Sequence, residues 1–321
     1  MAVFPLLNLH FYFLKAEYSL KVWYCPQIGY SWKKDYLSKV LNFLMNKFTF
    51  MTAVVAFAFI ASANAEPLRV TITGNPNPLS QGPEIFFEKL LRVALEKTRS
   101  TDGDFILTHN THSGGIARDR AMIIADAGID VMWGSVTKER EKQMHLVPVD
   151  LLKSLNNYRI LLINQDAQPQ FSKVKTLDDL RKFTVGSGEH WTDGDIFKSN
   201  GFTVSATSSY SGLFKMLAAR RFNFISRGLY EINNDSKEYK ALGLAPEESL
   251  LIKYDTPIRY CFFVNKNNEV LGDRLSRGLN IAIRDGSFDR LFYEYPAFKA
   301  GEELLKSSHR TTIVLKNTKV D

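Results

Sequence analysis

The sequence predicts an α/β protein in two lobes, and three observations carry that expectation. Short runs rich in β-branched and aromatic residues recur along residues 66–307, and each is followed by a segment with apolar residues at three- and four-residue spacing. Strand followed by helix, repeated, is the order of sheets with parallel strands covered by helices. The roughly 256 residues after position 65 contain no fixed-period repeat and no low-complexity linker, enough chain for two cores with ordinary strands passing between them.

The elements follow in order. PLRVTITG (67–74) alternates as a strand does, and NPNP (75–78) breaks it. PEIFFEKLLRVALEKT (83–98) has helical spacing, DFILTHN (104–110) is a strand, GGIARDRAMIIADAG (114–128) a helix and IDVMWG (129–134) a strand. A charged helix follows, with Thr137 as its cap. The second half repeats the pattern: NYRILLIN (157–164) is a strand, TLDDLRK (176–182) a short helix capped by Thr176, and FTVGSG (183–188) a strand ending in glycines. Helix 191–201, strand 202–207, helix 210–222, strand 223–228 and helix 229–242 come next, then strand RYCFFVNK (259–266) and a helical tail over 268–306.

The first 65 residues read differently. Residues 45–65, MNKFTFMTAVVAFAFIASANA, have the layout of a secretory signal, with cleavage expected before Glu66. The apolar run from Phe48 to Ala61 is shorter than the roughly 18–20 residues that span a bilayer. A signal begins a chain, so translation is expected to start at Met45 and residues 1–44 are an upstream extension. The whole chain carries +7, but residues 66–321 carry 35 basic and 32 acidic residues, a net of +3. So mild a balance, without a clustered basic face, gives no support for nucleic-acid binding. Cys25 lies in the leader, which leaves Cys261 alone and the exported chain without an internal disulfide.

Arg140 raises a question of charge. It falls in the first turn of the helix that follows Thr137, where the helix dipole prefers acidic side chains. Either a bound anion lies nearby, or Arg140 pairs in solvent with Glu139 or Glu141.

The stretch GIDVMWGSVTKEREKQMHLVPVD resembles the segment of family 3 extracellular solute-binding proteins in which a short apolar run leads into S-x-T-x-x-R and a proline-containing segment. TLDDLRKFTVGSG, LFKMLAARRFNFI and LSRGLNIAIRDGSFDRLFYEY are similar to three further segments of that family, in the family's order, so the likeness spans residues 66–307. It implies the type II periplasmic binding protein fold: two Rossmann-like lobes joined by two crossing strands, near NYRILLIN and RYCFFVNK. Lobe 1 would hold 66–158 and 262–321, and lobe 2 159–261. It also implies that Ser135 and Arg140 grip a ligand carboxylate, a role that free helix amides and a bidentate guanidinium suit chemically.

Other cleft candidates come from the residues themselves. In GSGEHWTDGD, Trp191 offers an apolar wall and Asp193 an acceptor, although a Trp after such a turn also fits a core. Trp133 precedes Gly134 and either stacks on ligand or packs inward. Asn75 ends the first strand, where open α/β sheets bind ligands. Tyr210 begins a lobe-two helix. Amino-acid binders of the family place an acid about where Gly228 falls; this chain has Arg227 beside that glycine, which either points outward in a surface pair or enters the cleft and favours a more anionic ligand or a carboxylate that is not an amino acid, while Glu231 or Asp193 would receive an amine. Thr137 completes the set.

His109 and His112 form H-x-x-H without the glutamate of a zinc protease, His190 is isolated, and no G-x-S-x-G elbow, Walker loop or dinucleotide fingerprint occurs. Cys261 sits in an apolar strand as a buried thiol would. The expectation is therefore a monomeric periplasmic protein without enzymatic activity, cofactor or metal. It would capture an anionic or zwitterionic small molecule and present it to the membrane permease of an ABC transporter. A sensing component for a separate receptor and an enzyme on the same fold are the alternatives.

Overall fold

The computed structural model describes residues 66–74, 83–110, 116–307 and 309–320; the signal segment, the Met45 start, the extension and the NPNP turn with Asn75 lie outside them. The first sheet buries its central strands almost throughout, and its order is β2 (Phe105–Asn110), β1 (Leu68–Thr73), β3 (Val131–Ser135), β11 (Tyr260–Asn265), β4 (Met144–Leu146). The second sheet runs β12 (Thr311–Leu315), β10 (Leu250–Tyr254), β5 (Tyr158–Asn164), β8 (Phe224–Gly228), β6 (Val185–Gly188), β7 (Val204–Thr207), with β9 (Leu244–Pro246) also paired to β5.

Both sheets are mixed rather than parallel. β1 runs parallel to β2 and β3, and β6 parallel to β7 and β8, as helix-linked strands should. β5 is antiparallel to β8 and β10, and β11 is antiparallel to β3 and β4. These two are the first strands after the chain passes from one sheet to the other, so each enters against the local direction. The passages are residues 147–157 and 255–259. A third connection was not foreseen: Thr311–Leu315 pairs with β10, so the end of the chain joins the second sheet rather than staying with lobe 1 as the 262–321 range implies.

The helix 83–97 (α1, Pro83–Lys97) buries Phe86, Phe87, Leu90, Leu91, Ala94 and Leu95, one stripe at helical spacing. Each such burial stabilises by about 1.5–3 kcal/mol. The stripe meets a long helix, Glu269–Arg284, where a Cβ on Gly278 would lie 2.0 Å from the Ala94 carbonyl oxygen, so only glycine permits this helix contact. Phe86 then meets Phe288, Phe292 and Phe298 edge-on, with centroids 6.4, 5.7 and 4.7 Å away. Lobe 2 has its own core around Phe171, Phe197, Phe202 and Phe224.

Beyond β12 the tail returns towards lobe 1. Asn317 is fully buried, its amide N–H donates to Asp255 (2.8 Å) and its side chain to the Thr256 carbonyl (3.0 Å). Lys319 pairs with Asp195 of lobe 2 at 2.7 Å, while its carbonyl accepts from the Lys138 amide of lobe 1 at 3.1 Å.

Candidate functional site

A cavity of about 440 Å³ opens between the ends of the two sheets. Its lobe-1 wall comes from the end of β3, the first residue of β11 and the short helix α2 (Lys138–Gln143). Trp133 packs on Phe87 at 5.6 Å and Tyr260 stacks on the same ring at 5.1 Å, so both aromatics are anchored in the core while lining the cavity. Trp133 thus packs inward as one of the two sequence readings has it, and its exposed part borders the cavity.

Arg140 is 7% exposed and lines the cavity. The helix cap fixes its backbone, since Thr137 Oγ1 accepts from the Arg140 amide at 3.2 Å. Its side chain folds back beneath β3, where Nη1 donates to the Ser135 carbonyl at 2.5 Å. A Cβ on Gly134 would lie 3.0 Å from that nitrogen, so the glycine leaves the passage clear. Among the described residues no carboxylate forms an ion pair with Arg140; Glu139 lies 3.9 Å from Arg120 instead. Burial lowers the Arg140 pKa from the usual guanidinium value, with Tyr260 and Glu139 opposing and Arg120 assisting. Ser135 is 9% exposed, and its hydroxyl accepts from the Asn156 amide at 3.3 Å.

The lobe-2 wall is a closed ionic network. Arg159 of β5 donates to Asp193 at 2.8 Å and lies 3.7 Å from Glu231. Arg227 of β8 donates to Asp235 at 2.5 Å, to the Tyr210 hydroxyl at 3.0 Å, and lies 3.2 Å from Glu231. Asp193 further accepts from Tyr254 (2.6 Å) and Ser226 (3.0 Å). Burial opposes the charge on both arginines, but Asp193 for Arg159, and Glu231 with Asp235 for Arg227, hold their pKa values above the usual one. Burial likewise pushes Glu231 up, and Arg227 and Arg159 outweigh it, so that carboxyl ends below its ordinary range. Asp235 ends above its range, because burial there outweighs Arg227.

Gly228 explains how an acid reaches this wall without occupying that position. A Cβ there would lie 2.9 Å from Glu231 Oε2, 2.8 Å from the Tyr230 ring and 3.0 Å from Arg159 Nη1. Glu231 folds back to accept from the Gly228 amide at 2.7 Å, filling the space a side chain at 228 would take.

Of the expected site residues, Ser135, Arg140, Trp133, Trp191, Asp193, Arg227, Tyr210 and Glu231 surround this one cavity. Arg227 faces inward, but it is neutralised rather than presented, and its guanidinium lies 5.1 Å over the Trp191 ring. Thr137 does not reach the cavity: its hydroxyl caps the helix, and it lines a neighbouring cavity of about 330 Å³ that shares Arg140 and His190. The sequence reading missed Arg159, Asn156, Tyr230, Tyr260 and Asp235. Arg159 had a usable signal, a charged residue inside the apolar run NYRILLIN, which only a buried partner makes tolerable. Cys261 is fully buried, and burial pushes its thiol up to about 12. His109 hydrogen-bonds Glu88 at 3.1 Å.

No protein-family model and no curated protein matches the sequence. Solved structures do match the fold. A histidine kinase sensor domain described as similar to periplasmic binding proteins aligns with a TM-score of 0.54 at 16% identity, over 73% of this chain and 97% of that one. An ancestral arginine-binding protein bound to glutamine gives 0.53 at 18% identity, over 72% and 98%. An amino acid ABC transporter substrate-binding protein, AbpA from Streptococcus pneumoniae Canada MDR_19A bound to L-arginine, gives 0.53 at 14% identity, over 75% and 98%. The chain has the two-lobed α/β fold of the periplasmic binding proteins.

Proposed function

We propose that this is an exported, monomeric solute-binding protein that encloses a small carboxylate-bearing metabolite between its lobes and presents it to the membrane permease of an ABC transporter. The observation that carries the reading is Arg140: a guanidinium 7% exposed, at a cavity wall, with no carboxylate paired to it among the described residues. A buried charge without a counter-ion is costly, and a ligand carboxylate supplies the missing partner. Ser135 lies beside it with a hydroxyl free to rotate its proton towards that carboxylate. The S. pneumoniae neighbour, a transporter's binding protein bound to an amino acid, supports both ligand class and partner.

Capture works through closure. The connections at 147–157 and 255–259 are the hinge, and bending there brings the Arg140 wall against the Arg159–Arg227 wall around the solute. Periplasmic location follows from the signal segment read at 45–65. Among the described residues no helix is long and apolar enough to cross a membrane. The cavity's three acids are paired with Arg159 and Arg227 rather than arranged as nucleophile and base, which supports binding without turnover.

The sensor-domain neighbour favours a second reading, in which the ligand-bound form is delivered to a separate receptor rather than to a permease. A thermal-shift screen of the purified protein against amino acids, dicarboxylates, keto acids and small peptides tests the shared core of both. A ligand at a hundredfold its Kd adds about 2.7 kcal/mol. Shifts that vanish in Arg140→Ala support the carboxylate reading, and shifts unchanged in that variant remove it.

A further inference from the structure

We infer that the ligand is an amino acid whose side chain carries no charge, because Arg159 and Arg227 act as internal counter-ions that deny the cavity to charged side chains. This rests on the carboxylate reading of Arg140 given above and narrows it.

The argument is a charge balance resolved by position. Three arginines, 140, 159 and 227, and three acids, Asp193, Glu231 and Asp235, line the cavity. Among the described residues Arg140 is the one arginine or acid on the lobe-1 wall, and on lobe 2 two arginines face three acids, a surplus of one negative charge. The surplus falls on Glu231. Each arginine has a nearer acid of its own, Asp193 at 2.8 Å and Asp235 at 2.5 Å, and Glu231 is shared between them at 3.7 and 3.2 Å. Its side chain is 23% exposed against 6% for Asp235, so it is the carboxylate a ligand ammonium can reach. A zwitterion spanning from Arg140 to Glu231 matches the surplus charge on each wall, positive on lobe 1 and negative on lobe 2.

Among the described residues no unmatched charge is then left for a third one. Asp193 already accepts from Arg159, Tyr254 and Ser226, and Asp235 from Arg227 and Tyr210, so a guanidinium or ammonium side chain finds no unoccupied acid. A second carboxylate finds no unneutralised cation, since both lobe-2 arginines are paired. The largest uncharged side chains of the wall are aromatic, Trp133 and Tyr260 on lobe 1 and Trp191, Tyr210 and Tyr230 on lobe 2, with Asn156, Thr192 and Asn234 as polar, uncharged neighbours. Such a surface suits an apolar or aromatic side chain, and the cavity of about 440 Å³ admits one. The contrast with the L-arginine bound by the S. pneumoniae neighbour is direct.

The experiment is titration calorimetry on the purified full chain with phenylalanine, leucine, glutamine, arginine, lysine, aspartate and glutamate, and with 3-phenylpropionate as the phenylalanine analogue lacking the amine. The uncharged amino acids are expected to bind at least tenfold more tightly than the four charged ones, and phenylalanine at least tenfold more tightly than its deamino analogue. Arginine, lysine or a dicarboxylate binding as tightly as the uncharged set overturns the inference while the carboxylate reading stands. Equal binding of 3-phenylpropionate overturns the ammonium contact at Glu231. Absence of heat with every carboxylate overturns the inference together with the reading beneath it. In Glu231→Gln, checked for an unchanged fold by circular dichroism, the preference for phenylalanine over 3-phenylpropionate should disappear.

Discussion

Arg140 and the pair Arg159 and Arg227 line the same cavity at similar burial, 7%, 6% and 5% exposed, yet they stand in opposite electrostatic situations. The first has a backbone carbonyl and no acid; the others have three acids between them. Burial alone therefore does not distinguish a binding group from a structural one. The presence or absence of a counter-ion separates them: the neutralised arginines are held within the wall, and the uncompensated one is the cation that the proposed carboxylate ligand would pair with.

The strongest way to break this comparison is to remove one member of the lobe-2 network. Asp193→Ala strands Arg159 in a buried site and should destabilise the protein by about 3–5 kcal/mol, read from urea unfolding. The double variant Arg159→Met/Asp193→Leu removes both charges and should recover most of that loss. A single substitution costing less than 1 kcal/mol would mean that Glu231, 3.7 Å away, rather than Asp193, was the acid compensating Arg159.

Arg140→Ala should behave in the opposite way. Removing a charge that had no acid partner leaves the urea midpoint unchanged or slightly higher, whereas ligand affinity falls by about 2–5 kcal/mol. A fall in stability equal to that of Asp193→Ala would place Arg140 with the structural arginines after all.

Gly228→Asp restores an acid at the position the family resemblance pointed to, but the structure already fills that space. With Tyr230, Glu231 and Arg159 all within 3.0 Å of the added Cβ, the substitution should cost about 1–3 kcal/mol through overpacking and displace Glu231. If thermal unfolding is unchanged, Glu231 is mobile enough to yield, and the carboxylate it supplies is less firmly placed than its bond to the Gly228 amide implies.

These contrasts also mark what the sequence contained. Ser135 and Arg140 entered through the likeness of S-x-T-x-x-R to the family segment, with Arg140 also marked by its charge in a helix first turn, and the structure places both at the cavity wall. Arg159 was overlooked because NYRILLIN matches a strand by its apolar residues, and strand periodicity treats a charge as a solvent-facing position. Asp235 was invisible for another reason: nothing in NNDSKE indicates that a carboxylate eight residues after Arg227 returns to it. The mixed direction of the sheets was equally hidden, since alternation within a strand is the same whichever way its neighbour runs. The three-residue strands Met144–Leu146 and Leu244–Pro246 are too short to show a period, and Thr311–Leu315 declares its lobe only by pairing with β10.

Acidification separates the two acids that share Arg227. Glu231 has a folded pKa below its unfolded value near 4.3, so the stability it contributes is present above that value and lost as pH falls through the depressed one. Asp235 is raised, so its contribution is present at low pH and lost as pH rises through the folded pKa. Glu231→Gln should therefore flatten the acid limb of the urea midpoint below about pH 4.3, and Asp235→Asn should leave that limb in place. An acid limb identical in Glu231→Gln and wild type would show that Glu231 does not carry the network's charge.

The smallest expected effect concerns the surroundings of the lone arginine. The second cavity shares Arg140 and is bordered by Lys319, whose ammonium neutralises Asp195 at 2.7 Å. Lys319→Ala leaves Asp195 without its cation at the edge of that cavity, where it would compete weakly with a ligand carboxylate for the field of Arg140. Both partners are partly exposed, 32% and 59%, so screening limits the effect to at most about 1 kcal/mol, or fivefold in Kd, with the stability change smaller still. Because the effect is electrostatic, it should shrink when the titration is repeated at 1 M salt, where the screening length is about 3 Å. A loss of affinity that persists at high salt would instead mean that the Lys319 side chain helps position the returning tail, whose backbone accepts from Lys138, making the tail a mechanical link between the lobes rather than a source of charge.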